Sequence, residues 1–177
     1  MEDVIDEAKA LCEKGVKELI LVAQDTTRYG EDLYGEVRLP QLLDELNKIE
    51  GLEWIKLLYC YPERMTDKLI DTIAKQDKIV KYIDLPIQHC NGEILKSMNR
   101  SGDRESLTAL INKLREKIPN LTLRTTFITG FPGETEEEFA ESLAFIRRCG
   151  FADMHIFPYS RRPGTPADKM PGQHNNA

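Results

Sequence analysis

The sequence predicts an α/β fold in which parallel strands alternate with helices, as a doubly wound sheet or as part of a (βα) barrel. Short apolar runs rich in β-branched residues alternate five times with stretches whose apolar residues recur at helical spacing. Consecutive parallel strands need such crossover helices, which are right-handed. In both folds, functional side chains follow the carboxyl ends of the strands.

Composition is typical of a globular chain that can bury a substantial core. The 177 residues are 41% hydrophobic and 31% charged, and the formal net charge is −6. That negative charge disfavours strong non-specific binding to nucleic acids, and we expect no DNA partner. The sequence contains neither an apolar run of membrane-spanning length nor a signal-peptide pattern, so we expect a cytoplasmic protein with no membrane partner.

The four cysteines do not form a recognisable metal motif. They lie dozens of residues apart, and no two of them make a C-x2-C pair. Zinc and iron–sulfur ligand sets use closer spacings. We therefore assign no metal ligand and predict reduced, mostly buried thiols. The cysteines are Cys12, Cys60, Cys90 and Cys149.

Five elements of the first half are predicted from apolar periodicity and from the residues that begin and end them. Gly15 and Gly51 follow the last residues of two helices, and Thr66 can cap a third. Strands are expected where the apolar runs are short and continuous. The predicted elements are a helix at 1–14, a buried strand at 18–23, a helix at 39–50, a strand at 54–59 and a helix after Thr66.

The second half continues the same alternation and ends in a segment rich in proline and glycine. On the helix at 135–149, Phe139, Leu143 and Ile146 share one face and are expected to point inward. The predicted elements are a strand at 82–87, a short helix at 93–98, a helix from Asp103 to 118, a strand at 121–129, a helix at 135–149, a strand at 154–159 and an extended tail from Ser160.

The most informative stretch is Thr125–Thr135, where a strand runs into a helix. Gly130, Pro132 and Gly133 require a tight turn, and Thr135–Glu138 has the S/T-x-x-E form of a capping box. Such a junction presents backbone N–H groups at an open edge, which suits a carboxylate, a phosphate or a nucleotide ribose. An ordinary strand-to-helix turn without a ligand is the alternative.

Polar and aromatic side chains follow the other predicted strands. Because parallel strands bring their carboxyl ends to one edge, these positions are candidates for a binding site. The sequence has no phosphate-binding loop, which weighs against a metal-free nucleotide-dependent enzyme. The residues are Gln24, Asp25 and Thr26, Tyr59 and Tyr61, Gln88 and His89, and Tyr159 and Ser160.

Five motifs, in order along nearly the whole chain, resemble those of the radical S-adenosylmethionine methylthiotransferases. The first is most similar to the branch that acts on a ribosomal protein, whereas the tail motif FPYSRRPGTPA is closer to sister enzymes that modify tRNA. The five motifs are 24–30 (QDTTRYG), 59–62 (YCYP), 82–89 (YIDLPIQH), 124–135 (RTTFITGFPGET) and 159–167 (YS followed by PGTPA).

The resemblance implies a partial (βα) barrel, the radical SAM core, with five of its strands in this chain. Residues 1–160 would form that core without its first βα unit and cluster-binding loop, and residues 161–177 would be an extended tail with no TRAM domain. The implied cofactors are S-adenosyl-L-methionine and [4Fe–4S] clusters whose ligands are absent from this chain. Reduction of S-adenosylmethionine at the cluster would yield a 5′-deoxyadenosyl radical that abstracts hydrogen from carbon.

The resemblance also implies a transferase that adds a methylthio group to the β-carbon of an aspartate. The expected partner is a small-subunit ribosomal protein or the ribosomal subunit itself. Methylthiolation of adenosine in tRNA is the alternative. A truncated remnant without catalysis is the second alternative, and we expect this chain alone to be inactive.

Site residues implied by the resemblance bind the cofactor, and none is assigned as catalytic. Gln24 and Asp25 would accept hydrogen bonds from the amino group of S-adenosylmethionine, although Asp25 could instead cap its own turn. Arg124 would pair with the methionyl carboxylate or with an acidic residue of the chain. His89 is expected to be a hydrogen-bonded loop residue. The remaining positions are Gly130, Phe157 and Tyr159 at the adenine, and Pro86 and Gln88 at the ribose.

Overall fold

The computed structural model describes residues 1–174, which contain one five-stranded sheet. The strands follow one another across the sheet in chain order, without the reversal of order that marks a doubly wound sheet. This confirms the predicted parallel α/β class and favours the barrel-type arrangement. The strands are β1 (Glu18–Leu21), β2 (Trp54–Leu57), β3 (Ile79–Gln88), β4 (Thr122–Thr129) and β5 (Asp153–Pro158).

Helices lie between successive strands, as crossovers in a parallel sheet require. The helix α2 was not predicted, because four residues carry too little periodicity to be recognised. No helix within residues 1–174 is long and apolar enough to cross a membrane. The helices are α1 (Glu2–Glu13), α2 (Glu31–Tyr34), α3 (Leu39–Leu46), α4 (Asp67–Lys75), α5 (Gly92–Ser97), α6 (Arg104–Lys117) and α7 (Glu136–Cys149).

The chain divides into two compact units. The first unit comprises Met1–Leu85 and Lys113–Leu123, and the second comprises Pro86–Asn112 and Arg124–Ala177. The predicted tail from residue 161 therefore belongs to the second unit, where a short 3-10 turn forms at Ala167–Lys169. The last three positions of that predicted tail lie outside the described residues.

The core of the first unit is apolar and fully buried on α3, α4 and β2. Leu43 of α3, Ile70 of α4 and Ile55 of β2 have no solvent exposure. The prediction that the first strand is buried is wrong, because Ile20 of β1 is 50% exposed. β1 is an edge strand of the sheet. It pairs with β2 along one edge, and its other edge pairs with no strand of this sheet.

The core of the second unit contains the rings of Phe127 on β4 and Phe145 on α7, whose centroids are 6.3 Å apart. The predicted inward face of α7 is wrong. Phe139 and Leu143 are 42% and 39% exposed, and Ile146 is half-buried. The helix carries two apolar stripes at helical spacing, and the contact of Phe145 with Phe127 determines which of them enters the core.

The cysteines follow the sequence prediction of free thiols. Cys60, Cys90 and Cys149 are buried, and Cys12 is half-buried. Burial raises the pKa of the Cys60 thiol to about 12, with the nearby Asp84 and Asp25 carboxylates adding to the shift. This thiol is therefore protonated and unreactive at neutral pH.

Candidate functional site

In the first unit, Asp25 determines the shape of the loop after β1. Its Oδ1 accepts hydrogen bonds from the Thr27 hydroxyl and from the Thr27 backbone N–H, the latter at 3.0 Å, and so caps the 3-10 turn Thr26–Arg28. Its Oδ2 is buried, lies 3.5 Å from Arg64 Nε and accepts no hydrogen bond from any residue that the structure describes. The two oxygens can therefore serve both roles considered for Asp25, since one caps the turn and the other can accept from a ligand.

The loop after β1 and the end of β2 are connected by hydrogen bonds. The Thr26 backbone N–H donates to the Tyr59 carbonyl at 3.1 Å, and the Tyr59 N–H donates to Asp84 Oδ2 at 3.0 Å. Tyr59 has a φ of 56°, which is unfavourable for a residue with a side chain, and its side chain is 46% exposed. Gln24, next to Asp25, is exposed.

Sequence analysis missed the role of Asp84, which is 1% exposed and holds the Tyr59 backbone in its strained conformation. The available signal was an acidic residue in the middle of an apolar strand. A buried carboxylate needs hydrogen-bond donors, so its presence there indicates a fixed polar partner.

The second unit contains a cavity of about 590 Å³, lined by the ends of β3, β4 and β5 and by the tail after β5. Gln88, Phe157 and Tyr159 line it, so three of the predicted site residues lie around one space. The Tyr159 ring packs edge-on against Phe131 with centroids 5.3 Å apart, and its hydroxyl is buried without a hydrogen-bond partner within residues 1–174. Apolar walls with a few polar groups are typical of small-molecule sites.

Two further predicted residues follow or precede cavity-lining residues in sequence but do not line this cavity themselves, and Gly130 lines a separate cavity of about 270 Å³ that Glu134 also lines. Pro86 is buried two positions before Gln88 on β3, and its carbonyl accepts a hydrogen bond from Arg100 Nη2 at 2.9 Å. Gly130, directly after β4, has a φ of 71°, a conformation that glycine adopts without strain. A Cβ placed at Gly130 would meet nothing within 4 Å, so the space beside its backbone is open.

Glu134 organises the turn after β4. Its Oε2 accepts hydrogen bonds from the backbone N–H groups of Gly130 and Phe131, the second at 3.2 Å. The expectation that this turn offers its N–H groups to a ligand is therefore wrong for these two groups, because the chain's own carboxylate occupies them. The predicted capping box is confirmed, with Thr135 and Glu138 bonded reciprocally.

His89 is a hydrogen-bonded loop residue, as the sequence predicted, and the structure shows that it is fully buried. Its Nδ1 accepts from the Asn91 backbone N–H at 3.0 Å, so we infer that Nε2 carries the proton. This Nε2 lies 3.2 Å from Glu134 Oε1 and 3.1 Å from Ser142 Oγ. Sequence analysis missed Glu134 and Ser142. The signal available for Glu134 was an acidic residue placed between a glycine turn and a helix cap.

Burial by itself would raise the pKa of Glu134. The hydrogen bonds from His89 and from the N–H groups of Gly130 and Phe131 outweigh burial and hold that pKa below its ordinary value of 4.5. A carboxyl group whose pKa is lower in the folded state stabilises the fold above its unfolded pKa. That stabilisation is lost as the pH falls through the folded-state value.

We expect the free energy of unfolding to decrease below about pH 4.5 more steeply in the wild type than in Glu134→Gln, because the variant has no carboxylate to protonate. Urea unfolding at a series of pH values measures both slopes. Other groups with lowered pKa values, such as Glu31 and Asp67, are present in both proteins and cancel in the difference. Equal slopes in the two proteins would contradict this assignment.

Arg124 lies near the amino end of β4. Its Nε is 3.3 Å from an Asp153 carboxylate oxygen, and its Nη2 is 2.6 Å from His155 Nδ1. Arg124 lies two positions before Thr126, which lines the cavity. Measured along the strand at roughly 3.3 Å per residue, Arg124 is about 16 Å from Thr129, the last residue of β4. The structure therefore places Arg124 away from the turn after β4 and gives it an acidic partner within the chain.

Within residues 1–174, no group of three or more His, Cys, Asp or Glu side chains is arranged to hold a metal ion. A [4Fe–4S] cluster needs several thiolate ligands close together. No described residue is therefore a candidate ligand for such a cluster.

A sequence model of the radical SAM superfamily matches residues 1–146. The chain therefore belongs to the radical SAM superfamily. Over all 177 residues it is 51% identical to RimO, the ribosomal protein uS12 methylthiotransferase of Alkaliphilus oremlandii. Over 98% of the chain it is 54% identical to RimO of Desulforamulus reducens. The predicted resemblance to the ribosomal-protein branch is confirmed, although the chain spans only 40% and 39% of these two relatives.

Two solved structures share the fold. One is the radical S-adenosylmethionine methyltransferase TsrM of Kitasatospora setae, which was solved with cobalamin and a [4Fe–4S] cluster bound. The aligned region comprises 93% of this chain and 32% of TsrM, with a TM-score of 0.72 and 17% sequence identity. The radical SAM enzyme HemN of Escherichia coli, a coproporphyrinogen III oxidase, covers 94% and 39%, with a TM-score of 0.69 and 18% identity. At these identities the likeness concerns the fold alone, and it confirms the predicted class.

Proposed function

We propose that this chain is part of a radical SAM methylthiotransferase that adds a methylthio group to an aspartate of ribosomal protein uS12. The main support is the identity of about one half to RimO relatives over essentially the whole chain. The alignment with the Alkaliphilus relative extends over all 177 residues and so includes the region of the tail motif that had suggested a tRNA enzyme. The tail is therefore compatible with the ribosomal-protein branch, and a ribosomal substrate implies a cytoplasmic enzyme.

The cavity of the second unit is proposed to bind the adenosine part of S-adenosylmethionine. Its volume of about 590 Å³ lies within the usual range for small-molecule sites. Phe157 and Tyr159 offer aromatic surface to an adenine ring. Gly130 lines a separate cavity, and the open space beside it is proposed to let its backbone approach the ligand. Gln88, together with Pro86 on the same strand, is proposed for the ribose side.

Residues at the end of β1 are proposed to recognise the amino group of the cofactor. Among residues 1–174, the buried Asp25 Oδ2 has an ion pair with Arg64 at 3.5 Å but no hydrogen-bond donor, and an ammonium group would supply one. Gln24 offers a second acceptor beside it. Arg124 is proposed for the methionyl carboxylate, which would compete with Asp153, a partner whose side chain is 63% exposed.

The chemistry divides between the cofactor and the chain. S-adenosylmethionine and the cluster supply one-electron chemistry when they are bound, because ordinary side chains do not. The residues described here bind and orient the cofactor against the target carbon.

Methylthiolation of isolated uS12 tests the proposal. The enzyme encoded by the gene of this chain would be reconstituted anaerobically with iron and sulfide, then incubated with S-adenosylmethionine, a reductant and uS12. We expect one uS12 aspartate to gain the mass of a methylthio group, and no gain when S-adenosylmethionine is omitted. Unmodified uS12 together with methylthioadenosine in a parallel tRNA incubation would overturn the proposal in favour of the tRNA branch.

A further inference from the structure

One buried carboxylate connects the ends of two strands in the second unit. The Glu134 side chain is 4% exposed, and both of its oxygens accept hydrogen bonds. Oε1 lies 3.2 Å from His89 Nε2, directly after β3, and Oε2 accepts from the N–H groups of Gly130 and Phe131, directly after β4. We call these four residues the Glu134 clamp.

Each hydrogen bond in the Glu134 clamp has only one possible direction. The Asn91 N–H donates to His89 Nδ1, so His89 Nε2 is a donor, and its two acceptors are Glu134 Oε1 at 3.2 Å and Ser142 Oγ at 3.1 Å. The backbone N–H groups of Gly130 and Phe131 are also donors. A carboxylate accepts from both sides, whereas a carboxamide would turn its NH2 toward a donor on one side. A donor on that side would then lose the acceptor that Glu134 provides, which is unfavourable, and only His89 Nε2 would keep a second acceptor, Ser142 Oγ.

The clamp adjoins two residues that line the cavity of about 590 Å³. Gln88 directly precedes His89 and has a φ of 72°, so its orientation depends on a backbone that His89 holds in place. Phe131 packs edge-on against the Tyr159 ring, with centroids 5.3 Å apart. Gln88 and Tyr159 line the cavity, whereas Glu134 and His89 do not.

We propose that the Glu134 clamp is a positioning device that orients Gln88 and Tyr159 for the adenosine part of S-adenosylmethionine. This inference rests on the proposed function of the cavity. Glu134 acts through the backbone of Gly130 and Phe131 and through His89, and it does not touch the ligand. A purely structural Glu134 would stabilise the folded chain without changing the affinity of the folded state.

Titration with 5′-deoxyadenosine, followed by NMR, separates these two roles. It is carried out on the 177-residue chain well below the melting temperature of each variant. We expect Glu134→Gln to raise the Kd at least about tenfold, with altered amide signals at Gln88 and Tyr159. Glu138→Gln is the matched control, because it makes the same change of charge at the capping box of the same turn. Its Kd is expected to stay within about twofold of the wild type.

The outcomes discriminate between the inference and the proposed function. If Glu134→Gln melts at a lower temperature but binds 5′-deoxyadenosine like the wild type, Glu134 is only structural and the inference is overturned. If the wild type does not bind 5′-deoxyadenosine, the role of the cavity and the inference fail together. Should Glu134→Gln not fold, Glu134→Asp keeps the charge but is one methylene too short to reach both His89 and the two N–H groups. The same loss of affinity is expected for it, and wild-type affinity would refute the inference.

Discussion

Replacing Phe127 with alanine is expected to lower the free energy of unfolding by about 3–5 kcal/mol. The Phe127 ring is 1% exposed and lies 6.3 Å from the ring of Phe145. Close-packed interiors relax only partly around a deleted ring, so a cavity would remain between β4 and α7. Urea unfolding followed by circular dichroism measures the loss.

Phe139→Ala is the matched control for this prediction. This variant also removes a phenylalanine ring, but from α7 and at a position that is 42% exposed. Its cost is expected to be about 1 kcal/mol or less. If Phe139→Ala cost as much as Phe127→Ala, the side of α7 that enters the core would be assigned incorrectly.

Asp25→Asn is expected to weaken the binding of S-adenosylmethionine about 10- to 100-fold, which corresponds to about 1.4–2.8 kcal/mol. The asparagine oxygen can still accept from Thr27 and cap the turn, as Asp25 Oδ1 does now. The variant replaces the buried acceptor Oδ2 with an NH2 donor and removes the negative charge. An ammonium group would then lose both its acceptor and its counter-charge. Isothermal calorimetry with the reconstituted enzyme measures this effect.

Asp32→Asn on α2 controls for the loss of one negative charge, because Asp32 is exposed and lies close to Asp25 in sequence. Its affinity is expected to equal that of the wild type. Thermal melts of all three proteins verify that the fold is retained. Wild-type affinity in a folded Asp25→Asn would show that Oδ2 does not contact the cofactor.

Much of the fold could be predicted from local sequence. The strand at 121–129 and the capping box at Thr135 depend on neighbouring residues only, since β-branched alternation and a side-chain cap act within one turn of chain. The order of strands and helices follows from the same local signals. Helices between successive strands can serve as crossovers, and this arrangement indicates a parallel sheet. The role of His89 as a hydrogen-bonded loop residue was also predictable, whereas its burial was not predicted.

The tertiary structure alone decided which chemically suitable groups meet. Both apolar stripes of α7 fit a helix, and only the position of Phe127 selected Phe145 over Phe139. The partners of Glu134 include His89, which is 45 residues away in sequence. No local sequence pattern predicts a contact between residues so far apart in the chain. The ion pair between Arg124 and Asp153 likewise depends on the register of β4 and β5, which places these two residues opposite each other. Local propensity acts over a few residues, whereas hydrogen bonding and packing depend on through-space distances that arise only when strands pair and helices dock.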